Sequence, residues 1–259
     1  MAHLVRLGSH LTDRDRQILL DCYEHHVLTT GQIGRLHFTS ARKARDRLAL
    51  LHTLRALDRF RPPWHRGDGS SPYHWILDEA GAHVVAELHG VERRELRWRH
   101  STALALSQSA KLRHLLAINE FFSELATEAA GAGGTLSEWY GERTSQQLFD
   151  GSINPDGYGV LILPGHAAIH VLLELDLDTE PTGTLAQKAI RYQRALPHSA
   201  LAASEPLIIL AVPTRQRARA AAEAVHLATA PISVALWAGT SPLEIVLTAR
   251  QELAGYRHS

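Results

Sequence analysis

The chain has one cysteine in 259 residues, Cys22, so no disulfide can form within it, and a reducing, cytoplasmic setting is the expectation. Cys22 falls at an apolar position beside Ile18, Leu19 and Tyr23, with no base near it by pattern, and reads as a small buried hydrophobe rather than a nucleophile. There is no run of about 20 uncharged apolar residues and no apolar leader, so neither membrane spanning nor export is indicated. A Walker loop and a dinucleotide fingerprint are both missing: the glycine-rich stretch 131–134 is not preceded by a strand. The 17 histidines invite a zinc site, but one cysteine and no convincing helical H-x-x-x-H leave the structural zinc ligand sets incomplete. His166 and His170 flank a turn and a strand and read as surface residues. Lysine is also scarce. Only Lys43, Lys111 and Lys188 occur among 27 basic residues, so arginine is the habitual choice and each lysine carries some information.

What is present fits a soluble globular protein of one or two domains, 45% hydrophobic and 21% charged. The formal charge of zero hides an asymmetry: residues 1–100 hold sixteen Arg and Lys against twelve Asp and Glu, and the remainder hold eleven against fifteen. The N-terminal part is therefore the half expected to meet a polyanion. After a lead over 1–11, Thr12-x-x-Asp15 opens a helix with a capping box. Thr30 is placed to cap a short second helix, and Thr39 or Ser40 a third. In that third helix Ala41, Ala44, Leu48 and Leu51 share one face, leaving Arg42, Lys43, Arg45 and Arg47 on the rest. Arg59-Phe60-Arg61 and Tyr73 to Leu77 read as two strands around a polar loop that holds Trp64, His65, Arg66 and two glycines. Three helices with a basic third, followed by a basic hairpin, follow the logic of a winged helix-turn-helix over 12–90. Its expected partner is double-stranded DNA, contacted by Arg42, Lys43, Arg45, Arg47, Arg59, Arg61 and Arg66. Most contacts would go to phosphates, with Arg42, Lys43 and Arg45 placed for base edges.

Residues 91–101 read as a charged linker and 102–240 as a second domain, with 241–259 as a tail. A long helix from about Thr102 to Ala129 carries a wide apolar stripe that includes Leu104, Leu112, Ile118, Phe121, Phe122 and Leu125. The stripe is expected to cover the second domain's sheet, with a share in a homodimer interface as the alternative. His114 and Asn119 read as structural hydrogen-bonders beside it. The most informative stretch is 153–180, a hairpin with one strand over Asp156 to Leu163, a Pro-Gly-His turn and a return strand from Ile169 to Leu177. Alternation puts Val171, Leu173, Leu175 and Leu177 on a core face, and His170, Leu172, Glu174, Asp176 and Asp178 on the other. Glu174 and Asp176, with Asp156 brought in from the neighbouring strand, would suit a hard divalent cation. Alternatively, Asp178 and Glu180 are a solvated strand end and Thr179 a helix cap.

Pro155-Asp156, the hydrophobic hairpin and the acid-x-acid of Glu174 and Asp176 resemble the signature of the PD-(D/E)xK nuclease-like fold. That pattern has lysine where this chain has Asp176; in such families the lysine can come from the following helix, where Lys188 stands. Glu174-Leu175-Asp176-x-x-Thr179-Glu180 followed by Lys188 and Tyr192, behind an N-terminal helix-turn-helix, is similar to the replication-relaxation family of plasmids and integrative elements, over most of the chain. The resemblance implies an α+β chain: a winged helix-turn-helix followed by a restriction-endonuclease-like domain with a mixed sheet in the order αβββαβ. It implies a DNA-binding protein acting in replication or relaxation, or in their regulation, with a nuclease-like second domain that is either active or degenerate. One alternative is an Mg- or Mn-dependent endonuclease or nickase, with Asp156, Glu174 and Asp176 on the metal and Lys188 orienting the attacking water. The other is a scaffold that recruits replication or transfer proteins.

Overall fold

The computed structural model describes residues 10–62, 71–226 and 232–256. The chain folds as two compact units, residues 1–123 and 124–259. Arg66, together with Trp64, His65 and the loop's two glycines, lies outside the described residues.

The first unit begins with α1 (Asp13–Glu24), capped as its sequence dictates: the Thr12 side chain accepts from the Asp15 backbone N–H, and the Asp15 carboxylate accepts from that of Thr12. A two-residue strand, β1 (Leu28–Thr29), leads into α2 (Thr30–His37). The cap there is Thr29 rather than Thr30, because Gln32 three residues later completes a second capping box. After α3 (Ala41–Thr53), β2 (Leu57–Phe60) and β3 (His74–Leu77) form an antiparallel pair with Arg59 opposite Trp75. Strand β3 pairs with β1 on its other side, giving the order β1-β3-β2. Asp78 then caps α4 (Glu79–Leu88), which approaches the chain so closely at Gly81 that a Cβ there would lie 2.1 Å from the Ala56 carbonyl oxygen.

The expected single helix from Thr102 to Ala129 is two. α5 (His100–Ala105) ends in a 3-10 turn over Leu106–Gln108, and α6 runs over Leu112–Gly131. The first half of α6 belongs to the first unit rather than to the sheet of the second. Asn119 donates to the carbonyls of Val27 (2.7 Å) and His25 (3.3 Å), and Leu112 joins Val27, Ile76 and Ala103 in one cluster. The apolar stripe is consumed inside the chain: Leu112, Ile118, Phe121, Phe122 and Leu125 are all buried, while Leu104, now on α5, is 40% exposed.

The second unit holds a five-stranded mixed sheet in the order β4-β5-β6-β7-β8. Strands β4 (Thr135–Gly141), β5 (Gly157–Ile162) and β6 (Ile169–Leu175) are antiparallel in turn, with the short α7 (Glu142–Gln147) between the first two. Helix α8 (Thr182–Ala195) crosses to β7 (Leu207–Val212), and α9 (Arg215–His226) to β8 (Ile232–Leu236); both of these strand pairs are parallel. Parallel strands with crossover helices are covered on both faces, and all six residues of β7 are buried. Leu210 and Val212 meet Leu185 and Ala189 of α8 and Ala221 and Val225 of α9. The stretch read as a tail is a helix, α10 (Pro242–Tyr256), lying against β7 and β8. Its start is fixed by Glu128 of α6, which accepts from the Leu243 N–H (2.8 Å) and the Ser241 hydroxyl (3.1 Å). Among the described residues no helix is long and apolar enough to cross a membrane.

Candidate functional site

Helix phase sorts the basic residues of α3. Ala44, Leu48 and Leu51 are buried, and Arg42, Lys43 and Arg45 are exposed. Arg42 is 87% exposed and only loosely paired with Asp46, at 3.8 Å. Arg47, expected with them, faces the other way. Its Nε donates to Asp15 Oδ1 (2.8 Å), and its Nη2 donates to Asp15 Oδ2 and to the His10 carbonyl (2.9 Å). Asp15 is fully buried. Burial alone would raise its pKa, but hydrogen bonds from Arg47 and Thr12 outweigh that and hold it below the ordinary carboxylate value. Arg47 thus fastens α3 to α1.

On the β2–β3 hairpin Arg59 and Arg61 are together, through a residue the sequence did not single out. The guanidinium of Arg59 lies 4.0 Å from the centre of the Tyr73 ring and that of Arg61 3.9 Å from it; Arg59 is also 5.5 Å from Trp75. Helix α2 is held from behind: Arg35 pairs with Glu120 at 2.5 Å, and Gln32 donates to Glu120 at 2.9 Å.

In the second unit the three carboxylates expected to share one cation are divided between two networks. Asp156, just before β5, accepts the Leu175 N–H at 2.7 Å. Its charge, after the larger effect of burial, pushes Glu174 up to about 7, against the pull of Lys188 and Tyr192. Both Glu174 oxygens are engaged, one by Lys188 Nζ at 2.9 Å and the other by the Tyr192 hydroxyl at 2.6 Å. Burial works to lower the pKa of Lys188, but Glu174 first and then Asp156 and Glu180 hold it above the ordinary value. Asp176 lies past the end of β6, not on the strand. It accepts from Arg217 Nε at 2.5 Å and from the Thr179 N–H at 3.2 Å, shaping a turn in which Asp178 takes a positive φ of 65°. Glu180 joins the two networks: its side chain accepts from Lys188 at 3.0 Å and its carbonyl from Arg217 at 2.5 Å.

The face assigned to carboxylates is not a polar face. Leu172, two residues before Glu174, sits in a cluster with Phe149, Tyr158, Val160, Tyr192 and Ile208, and every residue of β6 except His170 is buried. A narrow cavity of about 10 Å³ lies beside Glu174, Lys188 and Tyr192, lined also by Leu185, Ile208, Leu210, Val225 and Ile232. That is room for roughly one water and not for a phosphodiester. Among the described residues no three His, Cys, Asp or Glu side chains are grouped as a metal ion requires. Both oxygens of Glu174 accept hydrogen bonds in this arrangement, from Lys188 and from Tyr192.

The sequence did carry signals for the missed partners. Tyr192 follows Lys188 by four, on one helix face, and Asp176 three residues before Thr179 is a local turn former. Arg217 had no comparable signal, since long-range pairing alone distinguishes it from Arg215 and Arg219. No curated protein and no solved structure matches the chain. A family model does, over residues 19–207, which spans the basic helix α3, the hairpin, the acids and Lys188 and Tyr192 alike: the chain belongs to the replication-relaxation family.

Proposed function

We propose that this protein binds double-stranded DNA through its first unit, used as a winged helix-turn-helix, and that the second unit is a non-cleaving module built on internal ion pairs. Family membership suggests a role in the replication or relaxation of mobile elements. The observation that carries the DNA reading is the phase of α3: its apolar side is buried while Arg42, Lys43 and Arg45 stand in solvent. The order of elements supports it, with α2 and α3 in succession and a sheet β1-β3-β2 whose last hairpin carries further arginines. In such an arrangement the second of two consecutive helices enters the major groove, and the hairpin flanks the backbone. The test is a titration of labelled origin DNA with the full chain and with Arg45→Ala. Loss of origin preference with an unchanged unfolding curve is the expected result; identical binding by the variant removes α3 from the interface.

The reading of the second unit rests on the commitment of Glu174 to Lys188 and Tyr192 and of Asp176 to Arg217. Buried charges that satisfy one another are costly to separate, and the surface around them is the part available to replication or transfer proteins. Incubating supercoiled plasmid carrying the element's origin with protein and Mg²⁺, Mn²⁺ or EDTA tests this against the nuclease alternative. Intact plasmid in every tube is expected. Metal-dependent nicking that disappears in Asp156→Ala would overturn it and make the chain an enzyme.

A further inference from the structure

Arg59 lies on β2 and Arg61 just past its end at Phe60, and both guanidiniums lie over the ring of Tyr73. Arg59 is registered opposite Trp75 and Phe60 opposite His74, the last pair of the ladder, with Arg61 and Tyr73 the next residues along the chain on either side. The four side chains pack together. Arg61 lies on Tyr73, and Arg59 lies over both Tyr73 and Trp75, whose rings are 5.9 Å apart. The stack is anchored at its inner end: Trp75 is 2% exposed and donates from its indole N–H to the Thr30 hydroxyl at 2.9 Å. The Tyr73 carbonyl accepts from the backbone N–H of the same threonine at 3.1 Å, at the first residue of α2. Towards the outer end the stack opens to water, with Arg59 and Tyr73 half-buried and Arg61 exposed.

We infer that this stack is a preformed clamp for backbone phosphates of DNA, with Tyr73 as the residue that positions it. The inference rests on the DNA-binding reading above and adds the ligand group and the device. A guanidinium lying on a ring keeps its planar edge of N–H donors free, and that edge is what phosphate oxygens take in bidentate fashion. Two arginines would ordinarily be mobile and mutually repelling. Here Tyr73 holds both, so their ordering precedes binding and is not charged against it. The tyrosine ring is itself occupied by cations, so it is not a platform for an unstacked base. The anchor at Thr30 ties the clamp to the start of α2 and so fixes its register to the helix pair.

The test is duplex binding by the full chain across a salt series, with Tyr73→Phe, Tyr73→Leu, Arg61→Lys and Arg61→Gln. Each phosphate contact contributes about 0.9 to the salt slope. Arg61→Gln should make the slope shallower by about that amount, and Tyr73→Phe should match the parent. Tyr73→Leu and Arg61→Lys keep the charges but lose the stack, so they should weaken binding roughly five-fold or more while the slope stays. Position 61 is exposed, so its variants report even if Tyr73→Leu fails to fold. Parent-like affinity for Arg61→Lys, or for a folded Tyr73→Leu, overturns the clamp while leaving DNA binding intact. Salt-insensitive binding by the parent overturns both readings at once.

Discussion

On α3 the charges of Arg42, Lys43 and Arg45 stand in water, whereas in the second unit Glu174 is 4% exposed, Asp176 2% and Arg217 8%, each held by an opposite charge. The same residue types serve different ends because solvation differs. A charge in water costs little to keep, adds little to stability and is available to a polyanion. A charge removed from water must be matched within the chain, and its loss leaves the partner stranded. The divide does not follow the unit boundary. Arg47 shares a helix with Arg45 but is paired with the buried Asp15, because it follows Ala44 by three and precedes Leu51 by four and so lies beside the packed side.

The largest effect should therefore come from the arginine that crosses the divide. Arg47→Ala leaves Asp15 buried without its guanidinium, at a cost of about 3–5 kcal/mol; Arg45→Ala, on the same helix, should stay within about 0.5 kcal/mol of the parent. Urea unfolding of both variants measures the difference directly. Equal midpoints would mean that Asp15 is satisfied without Arg47.

Next in size is a pH dependence confined to the second unit. Glu174 has its folded pKa raised from 4.5 to about 7, so the folded state takes up a proton that the unfolded state releases. Stability is then highest below the unfolded value, declines as pH rises from there, and levels off above the folded one. The decline is on the order of 3 kcal/mol. Glu174→Gln, which still accepts from Tyr192 or Lys188 but cannot ionise, should flatten the curve between those two pH values. A variant with the parent's slope would assign the titration to another group.

Much of this was legible in the sequence, for identifiable reasons. The capping box at Thr12, the alternation around the hairpin and the 3.6-residue phase of α3 are local signals, and most of the helices and strands follow from them, although the second helix is capped by Thr29 and not by Thr30. The departures are tertiary. Leu106–Gln108 breaks the long helix without a proline or glycine to announce it, and α10 carries too weak an amphipathic pattern to be distinguished from a tail by spacing alone. The acids were found, but their grouping was not: alternation put Glu174 and Asp176 on one face, whereas the strand ends at Leu175 and Asp176 turns to an arginine 41 residues away. A strand's last residue is fixed by its neighbour's pairing, which local pattern does not contain.

Binding sharpens the comparison further. If the exposed class meets DNA, Arg45→Ala should cost about 1–3 kcal/mol at the origin and relax preference there, as loss of a base-edge contact does. Arg61→Gln, on the hairpin, should weaken all duplexes alike and reduce the salt slope by about 1, as loss of a phosphate contact does. A fluorescence titration on origin and scrambled duplexes separates the two. Interchanged outcomes would exchange the two residues' roles and leave the interface in place.

The smallest effect is the most diagnostic of the exposed class. Arg42 is 87% exposed and its pairing with Asp46 spans 3.8 Å at i,i+4, an arrangement worth about 0.3–0.5 kcal/mol at most. Asp46→Asn removes the carboxylate and keeps Arg42, so it should leave the unfolding midpoint almost unchanged. It should also strengthen duplex binding slightly, because an acidic neighbour on the DNA-facing side is removed and Arg42 is released. In the buried class the equivalent change, removing the acid beside Arg217, would strand a guanidinium and destabilise the unit. If Asp46→Asn instead lowered stability by more than about 1 kcal/mol, well beyond an exposed pair's worth, α3 would be held by its surface charges, and their exposure would not be evidence for a ligand.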